Sequence, residues 1–265
     1  MLRFELTTQL MRLRTLIALA CLAGAPVAAG LALAPSAGHR NGAESGLFGA
    51  SPYSALNHTM ASLQFIGPLL LPIVVALLAT TIASADRDWG VRRYLYVAPV
   101  TRARLLAAKL AATAVATFAA VLCVVATGLV AGLVIFGWHP FHILGAADLT
   151  TATAIGRTLL AVGYLALCML AMAALAFTLG LLLPRGAEAL AGAVALVVVA
   201  SILNGQRVLH PLAVVLPTHY WQNWVGLFDP AGATGMFVGT VNQLATIAVS
   251  VACCGVILWR RDPAA

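Results

Sequence analysis

The densest set of charged and aromatic side chains in this sequence lies in one short stretch, residues 86–109. The stretch reads DRDWGVRRYLYVAPVTRARLLAAK and holds six of the 15 lysine and arginine residues. If it forms a helix, Trp89, Arg92, Arg93 and Tyr96 share one face, because they are spaced i, i+3, i+4 and i+7. Aromatic and arginine side chains are the usual anchors of protein–protein interfaces. The spacing therefore suggests recognition of a partner protein; the alternative is that the aromatics belong to a membrane-interface belt and the arginines only set topology.

Side chains for catalysis or metal binding do not form any comparable set. A serine hydrolase within a membrane needs a nucleophile and a basic partner at the same depth, and Ser62, Ser201 and Ser250 have none evident. The His-Glu-x-x-His motif of metalloproteases is absent. His139 and His142 are separated by Pro140, which breaks a helix that would align them. We predict no catalytic, cofactor-binding or metal-binding residue, and we interpret all six histidines as polar residues at the outer membrane surface.

The composition indicates that most of the surface is solvated by lipid. Hydrophobic residues make up 62% of the chain and charged residues 9%, whereas a soluble protein carries about a quarter charged residues. Backbone groups in lipid must be satisfied internally, and the apolar runs are continuous and not alternating, which favours helices over a barrel. The net charge of +7 could suit nucleic acid, but the basic residues stand at the ends of apolar runs. We therefore predict a lipid bilayer and no nucleic acid as partner.

The apolar runs predict an all-α, polytopic membrane protein that forms one transmembrane domain over residues 1–265. We predict six transmembrane helices, at about residues 15–34, 60–85, 105–136, 156–183, 187–203 and 236–259. The first run could instead be a signal peptide, but it is long for one, and Pro35 would directly follow the cleavage site. Residues 1–14 predict an amphipathic helix on the inner leaflet. Residues 204–234, rich in proline and aromatics, predict one or two short re-entrant helices in the outer interface.

The basic residues predict the orientation of these helices. With both termini in the cytoplasm, 12 of the 15 lysine and arginine residues lie on the inner side, leaving Arg40, Arg157 and Arg207 outside. This distribution obeys the positive-inside rule. It places residues 86–109 in the cytoplasm and predicts a multi-pass protein of the cytoplasmic membrane.

Two pairs of residues predict how the helices bend and pack. Pro68 and Pro72 remove helix hydrogen bonds and should kink the second span. Gly128 and Gly132 follow the small-xxx-small spacing that lets helix backbones approach closely.

Ionisable residues deep in a span are nearly absent, so a transport pathway would be lined by apolar and small polar side chains, for example Thr113, Thr117 and Ser201. Such a lining would suit a hydrophobic cargo.

The polar stretch resembles the cytoplasmic signature of type-2 ATP-binding-cassette (ABC) export permeases. In that pattern an acidic residue is followed by glycine, a leucine-rich turn, proline, a basic residue, and a lysine that opens the next span. The matching residues here are Asp86, Gly90, Leu95, Pro99, Arg102 and Lys109. The family usually has glutamate at the acidic position, for which Asp86 and Asp88 are the candidates here. Six spans, the amphipathic start and the re-entrant segment also match, so the resemblance covers essentially the whole chain.

The resemblance implies the transmembrane subunit of an exporter, whose short cytoplasmic helix, about residues 87–98, couples to separate ABC ATPase subunits. The residues expected to contact the ATPase are Asp86, Asp88, Trp89, Gly90, Arg92, Arg93, Tyr96, Pro99 and Arg102. The chain contains no G-x-x-x-x-G-K-[ST] phosphate loop, so ATP would be bound by the partner, and we expect no cofactor on this chain. A second permease subunit, identical or related, would complete the pathway. The alternatives are an accessory or anchoring membrane protein without transport activity and an intramembrane enzyme.

Overall fold

The chain folds into a bundle of α-helices in a computed structural model, which describes residues 11–35, 47–88, 101–143, 147–205, 213–214, 216–229 and 234–260. These residues form seven α-helices and no extended strand: α1 (Leu13–Leu33), α2 (Ala55–Ile66), α3 (Leu70–Asp88), α4 (Arg102–Ile135), α5 (Thr151–Leu182), α6 (Gly186–Gly205) and α7 (Met236–Arg260). The predicted amphipathic helix at residues 1–14 falls almost entirely outside the described residues.

The lengths and compositions of these helices confirm an all-α, polytopic membrane protein. Five of them, α1, α4, α5, α6 and α7, are long and apolar enough to cross a membrane, and α2 together with α3 would supply a sixth crossing. Their outer faces expose large apolar side chains, among them Leu31, Leu122, Leu159 and Phe237. Apolar surface of this extent is not tolerated against water. Exposed apolar side chains of this size are typical of a membrane protein.

The second crossing is a broken span. The axes of α2 and α3 differ in direction by 65° across a short break that contains Pro68, which has no amide hydrogen to continue the helical bonding. Pro72 lies in the first turn of α3, where an amide has no helical partner in any case. The predicted kink is thus confirmed at Pro68. α2 also begins earlier than the predicted residue 60, because Ser54 accepts a hydrogen bond from the Asn57 amide and caps the helix.

α2 packs closely on α4 through the two predicted glycines. A Cβ atom added to Gly132 would lie 2.8 Å from the Cα of Ala55, and one added to Gly128 would lie 3.4 Å from the Cα of Thr59. Gly128 and Gly132 are four residues apart on α4, and Ala55 and Thr59 are four residues apart on α2. The two pairs therefore face each other along one turn of each helix. The prediction of a packing face at these glycines is confirmed.

α3 is the central helix of the bundle and packs against α4, α5 and α6. Most of its residues from Leu71 to Ala85 are buried. Near its C-terminus it meets α5 at a glycine, where a Cβ added to Gly180 would lie 2.6 Å from the Cβ of Ala83. We call the end of the bundle that holds Asp86, Lys109 and Arg185 the Asp86 end. The opposite end holds the start of α2 and three short 3₁₀ helices, Ser51–Tyr53, Pro217–Tyr220 and Asn223–Phe228.

Candidate functional site

A buried ion pair joins α3 to α4 at the Asp86 end. The Nζ atom of Lys109 lies 2.9 Å from Oδ1 of Asp86 and donates a second hydrogen bond, 3.0 Å long, to the carbonyl oxygen of Ile82. The Lys109 side chain is 6% exposed and that of Asp86 is 26% exposed. The lysine is therefore inside the protein, while the carboxylate stands at the edge of the bundle.

The helical register of α4 explains why a lysine is buried there. The buried residues along this part of the helix are Lys109, Ala112, Thr113, Ala116, Thr117, Ala120, Val121 and Val124. They follow the three- and four-residue spacing of a single helix face. Lys109 is the first member of this face, so its side chain points at the neighbouring helices and not at the outside of the bundle.

The energetics of the site follow from this burial. A buried ammonium group is costly unless it is paired and its hydrogens are bonded, and Asp86 and the Ile82 carbonyl both accept from it. Both acceptors belong to the C-terminal part of α3, whose partial negative charge also favours a cation. The contact therefore gives the α3–α4 interface a directional link in addition to its apolar packing.

The structure describes only part of the predicted ATPase-contact set. Asp86 is bonded to Lys109. Asp88 ends α3 and Arg102 begins α4, but their side chains are not among those described. The remaining predicted contacts lie outside the described residues: Trp89, Gly90, Arg92, Arg93, Tyr96 and Pro99. That these residues contact an ATPase stays a prediction.

Lys109 was missed as a site residue by sequence reasoning, which used it only as the last position of the signature. A signal was available, because Lys109 is the only lysine of the chain and lies at the start of a long apolar run. An ionisable residue in such a place normally has a partner and a role. The 23-residue separation from Asp86 hid the pairing, which becomes visible only when α3 and α4 lie side by side.

Three hydroxyl side chains predicted to line a pathway do not share a surface within the chain. Thr113 and Thr117 are buried, and each donates to the carbonyl four residues earlier, at 2.9 Å and 2.8 Å. Ser201 is exposed on α6 and donates to the Val197 carbonyl at 2.9 Å. This part of the lining interpretation is wrong for the single chain, because helix packing and back-bonding use the two threonines.

The opposite end contains a second polar cluster, around the start of α2. Nδ1 of His58 lies 2.9 Å from the hydroxyl of Ser51, and its Nε2 lies 3.1 Å from the carbonyl oxygen of Pro26 in α1. Asn57 bonds both backbone groups of His142, at 2.8 Å and 3.0 Å. His58 is fully buried among these segments; its interpretation as a polar residue of the outer membrane interface stays a prediction. The hydrogen bond from His58 to Pro26 joins α2 to α1. α4 packs against both of these helices.

The re-entrant segment predicted at residues 204–234 does contain two short helices, and side chains of three long helices hold it in place. Arg157 and Tyr164 of α5 donate to the carbonyls of Leu227 (2.7 Å) and Tyr220 (2.9 Å). Gln243 of α7 donates to the Pro217 carbonyl at 2.7 Å. Asn204 of α6 bonds the Thr218 hydroxyl at 3.3 Å. The aromatic side chains Trp221, Trp224 and Phe228 are buried beneath these contacts.

Metal-binding side chains do not come together in the described part of the chain. No three of its histidine, cysteine, aspartate and glutamate residues are close enough to share an ion. The nearest arrangement is a pair, in which Nδ1 of His142 lies 2.6 Å from Oδ1 of Asp148 and the ring of Tyr53 stacks on the imidazole. This geometry orders a loop and supplies too few ligands for a metal centre.

The comparison with protein families bears on the Asp86 end. A family model described as ABC-2 family transporter protein matches residues 10–185, well over half of the chain. The matched range includes α1 to α5, the ion pair and the polar stretch at residues 86–109. None of the curated proteins matches the chain.

Proposed function

Because the chain belongs to the ABC-2 family of transporter proteins, we propose that it is the transmembrane permease subunit of an ABC exporter powered by a separate ATPase. The bundle is a multi-pass membrane protein with five or six candidate crossings. The 265 residues contain no phosphate-binding loop. These facts support a division of labour in which this chain supplies the pathway and its partner binds and hydrolyses ATP, so that this chain carries no cofactor.

The observation that carries the proposal is the place of the polar stretch in the chain, between α3 and α4. Residues 89–100 connect α3, which is buried along most of its length, to α4, which is 34 residues long. At about 1.5 Å per residue, such a helix spans roughly 51 Å and exceeds the ~30 Å hydrocarbon core. A basic, aromatic connection between a central helix and one that is longer than the hydrocarbon core is well placed to receive force from a soluble partner.

The proposed mechanism is a rigid-body transmission. ATP binding closes two ATPase subunits, which displaces the segment at residues 87–98, and the displacement tilts α3 and α4. The break at Pro68 between α2 and α3 would serve as the hinge. Force is transmitted only if the ATPase contacts the segment differently in its two states.

The proposal also covers assembly and location. Two permease subunits, identical or related, enclose the pathway, both termini are cytoplasmic, and the protein resides in the cytoplasmic membrane. An apolar or amphipathic cargo fits the apolar helices best.

The test is co-purification with an ABC ATPase encoded beside this chain, with an arginine-pair variant and a matched control. The wild-type chain in lipid nanodiscs should capture the ATPase, and Arg92→Ala/Arg93→Ala should weaken capture about tenfold, which is the size of a typical interface anchor. Arg260→Ala/Arg261→Ala removes the same charge from another arginine pair on the same predicted side and should leave capture unchanged. Failure of the wild type to capture the ATPase would favour an accessory or anchoring membrane protein.

A further inference from the structure

We propose that the Asp86–Lys109 ion pair is the positioning element of the coupling segment, holding the ends of α3 and α4 together as one rigid base beneath residues 89–100. The inference deepens the proposed function and rests on it. It gives Asp86 a different task from the one that the signature suggests: the carboxylate acts on Lys109 within this chain, and not on the ATPase.

The pair stands where the segment joins the bundle. Asp86 lies two residues before the end of α3, and Lys109 lies in the second turn of α4. In sequence, residues 89–100 begin three positions after Asp86 and end nine positions before Lys109. A displacement of residues 89–100 can therefore reach the rest of α3 and α4 only through the helix ends that carry Asp86 and Lys109.

The pair resists separation of the two helices more strongly than apolar contacts do. Packed helices slide past one another by small amounts at little cost, because apolar contacts are non-directional. Withdrawal of the carboxylate from Lys109 would leave a buried ammonium group under-compensated, since its side chain is only 6% exposed. The bond to the Ile82 carbonyl also fixes Lys109 along the axis of α3. The two helix ends are thus constrained to move together.

The helices that pack against α3 determine which part of the bundle moves when the ends of α3 and α4 are displaced together. α3 packs against α4, α5 and α6, and near its C-terminus it lies so close to Gly180 of α5 that an added Cβ there would be 2.6 Å from the Cβ of Ala83. A segment attached to a rigid α3–α4 base therefore moves the centre of the bundle, whereas a segment attached to two independent helix ends would be displaced without moving it. An ionic link between the ends of α3 and α4 therefore makes a displacement of the segment move the central helix of the bundle.

The test is a double-mutant cycle measured as affinity for the co-purifying ATPase. Purified permease in nanodiscs is titrated with that ATPase for the wild type, Asp86→Asn, Lys109→Met and the double variant. We expect each single variant to weaken binding about tenfold, and the double variant to be no weaker than either single one, because both remove the same link. Asp86→Glu and Lys109→Arg, which keep the charges, should restore most of the affinity. Glu188→Gln, which breaks the exposed Arg185–Glu188 pair, is the matched control and should bind as the wild type does.

The outcomes separate this inference from its rivals. A direct contact of Asp86 with the ATPase predicts that Asp86→Asn weakens binding while Lys109→Met does not, because a buried lysine does not reach a partner. That result, additive effects, or wild-type affinity in both single variants would overturn the inference. If a single variant does not fold, the double variant carries the test, since it removes both members of the Asp86–Lys109 pair; wild-type affinity in a folded double variant would also overturn the inference. Absence of binding by the wild type would instead refute the proposed function.

Discussion

At the residue scale, two polar side chains inside this apolar bundle, Lys109 and His58, each bond acceptors on another segment. Lys109 bonds the carbonyl of Ile82 and the carboxylate of Asp86. His58 bonds the carbonyl of Pro26 and the hydroxyl of Ser51. A carbonyl oxygen only accepts, so Nε2 of His58 carries a proton and, in the neutral ring, Nδ1 accepts from Ser51. Both side chains therefore act as specific links between helices and not as random polar insertions.

Replacement of His58 by phenylalanine should destabilise the bundle. The change keeps an aromatic ring of similar size but leaves the buried Ser51 hydroxyl and the Pro26 carbonyl without this partner, at a cost of about 1–3 kcal/mol. His139→Phe is the matched control, because His139 is exposed, and should change stability by about 0.5 kcal/mol or less. Thermal unfolding followed by fluorescence-detected size-exclusion chromatography measures both. Equal unfolding temperatures for the two variants would show that the His58 links contribute nothing.

These residues also show why the site was only partly predictable. The composition of residues 86–109 identified the Asp86 end, because a basic, aromatic run between two apolar runs is visible in one dimension. The pairing of Asp86 with Lys109 and the burial of His58 are contacts between segments distant in sequence. His58 was interpreted as a polar residue at the outer membrane surface, and its hydrogen bonds to Pro26 of α1 and to Ser51 could not be read from the sequence.

At the element scale, the helices follow from hydropathy, and their ends follow from capping. The long apolar runs predicted α1, α4, α6 and α7 closely. α5 begins at Thr151, earlier than the predicted residue 156, because Thr150 accepts from the Thr153 amide and caps it. Hydropathy gives little weight to such polar residues, so it places the start too late. The break between α2 and α3 was visible as Pro68, but its 65° angle depends on how the two halves pack.

Substitution of Gly132 by alanine should loosen the α2–α4 contact. The added Cβ would lie 2.8 Å from the Cα of Ala55 and 2.9 Å from its carbonyl oxygen, so the two backbones must separate. We expect a loss of about 1–3 kcal/mol that outweighs the gain in helix propensity of up to about 1 kcal/mol.

The matched control is Gly163→Ala in α5, where an added Cβ meets nothing within 4 Å. It should be neutral or slightly stabilising, since only the propensity term remains. Unfolding temperatures in the same detergent compare the two variants. A Gly132→Ala variant as stable as Gly163→Ala would contradict close packing of α2 on α4.

At the scale of the whole molecule, the fold divides into two ends with different contacts. At the opposite end, side chains of α2, α5 and α7 donate hydrogen bonds to backbone carbonyls of residues 217–227 and of residue 142. The Asp86 end has the ionic link between α3 and α4 and the polar stretch at residues 86–109. Membership in the ABC-2 family accounts for this asymmetry if the ATPase docks at the Asp86 end and the cargo leaves at the other.

The most direct test of this account is the side of the membrane on which the polar stretch lies. Single variants Arg92→Cys and Tyr96→Cys are treated with a membrane-impermeant maleimide in intact and in opened cells, with Trp138→Cys at the opposite end as the matched control. The wild type is the background, because its five cysteines all lie within α1, α4, α5 and α7. We predict labelling of residues 92 and 96 only in opened cells and of residue 138 in intact cells. Labelling of residue 92 or 96 in intact cells would contradict docking of a cytoplasmic ATPase on this segment.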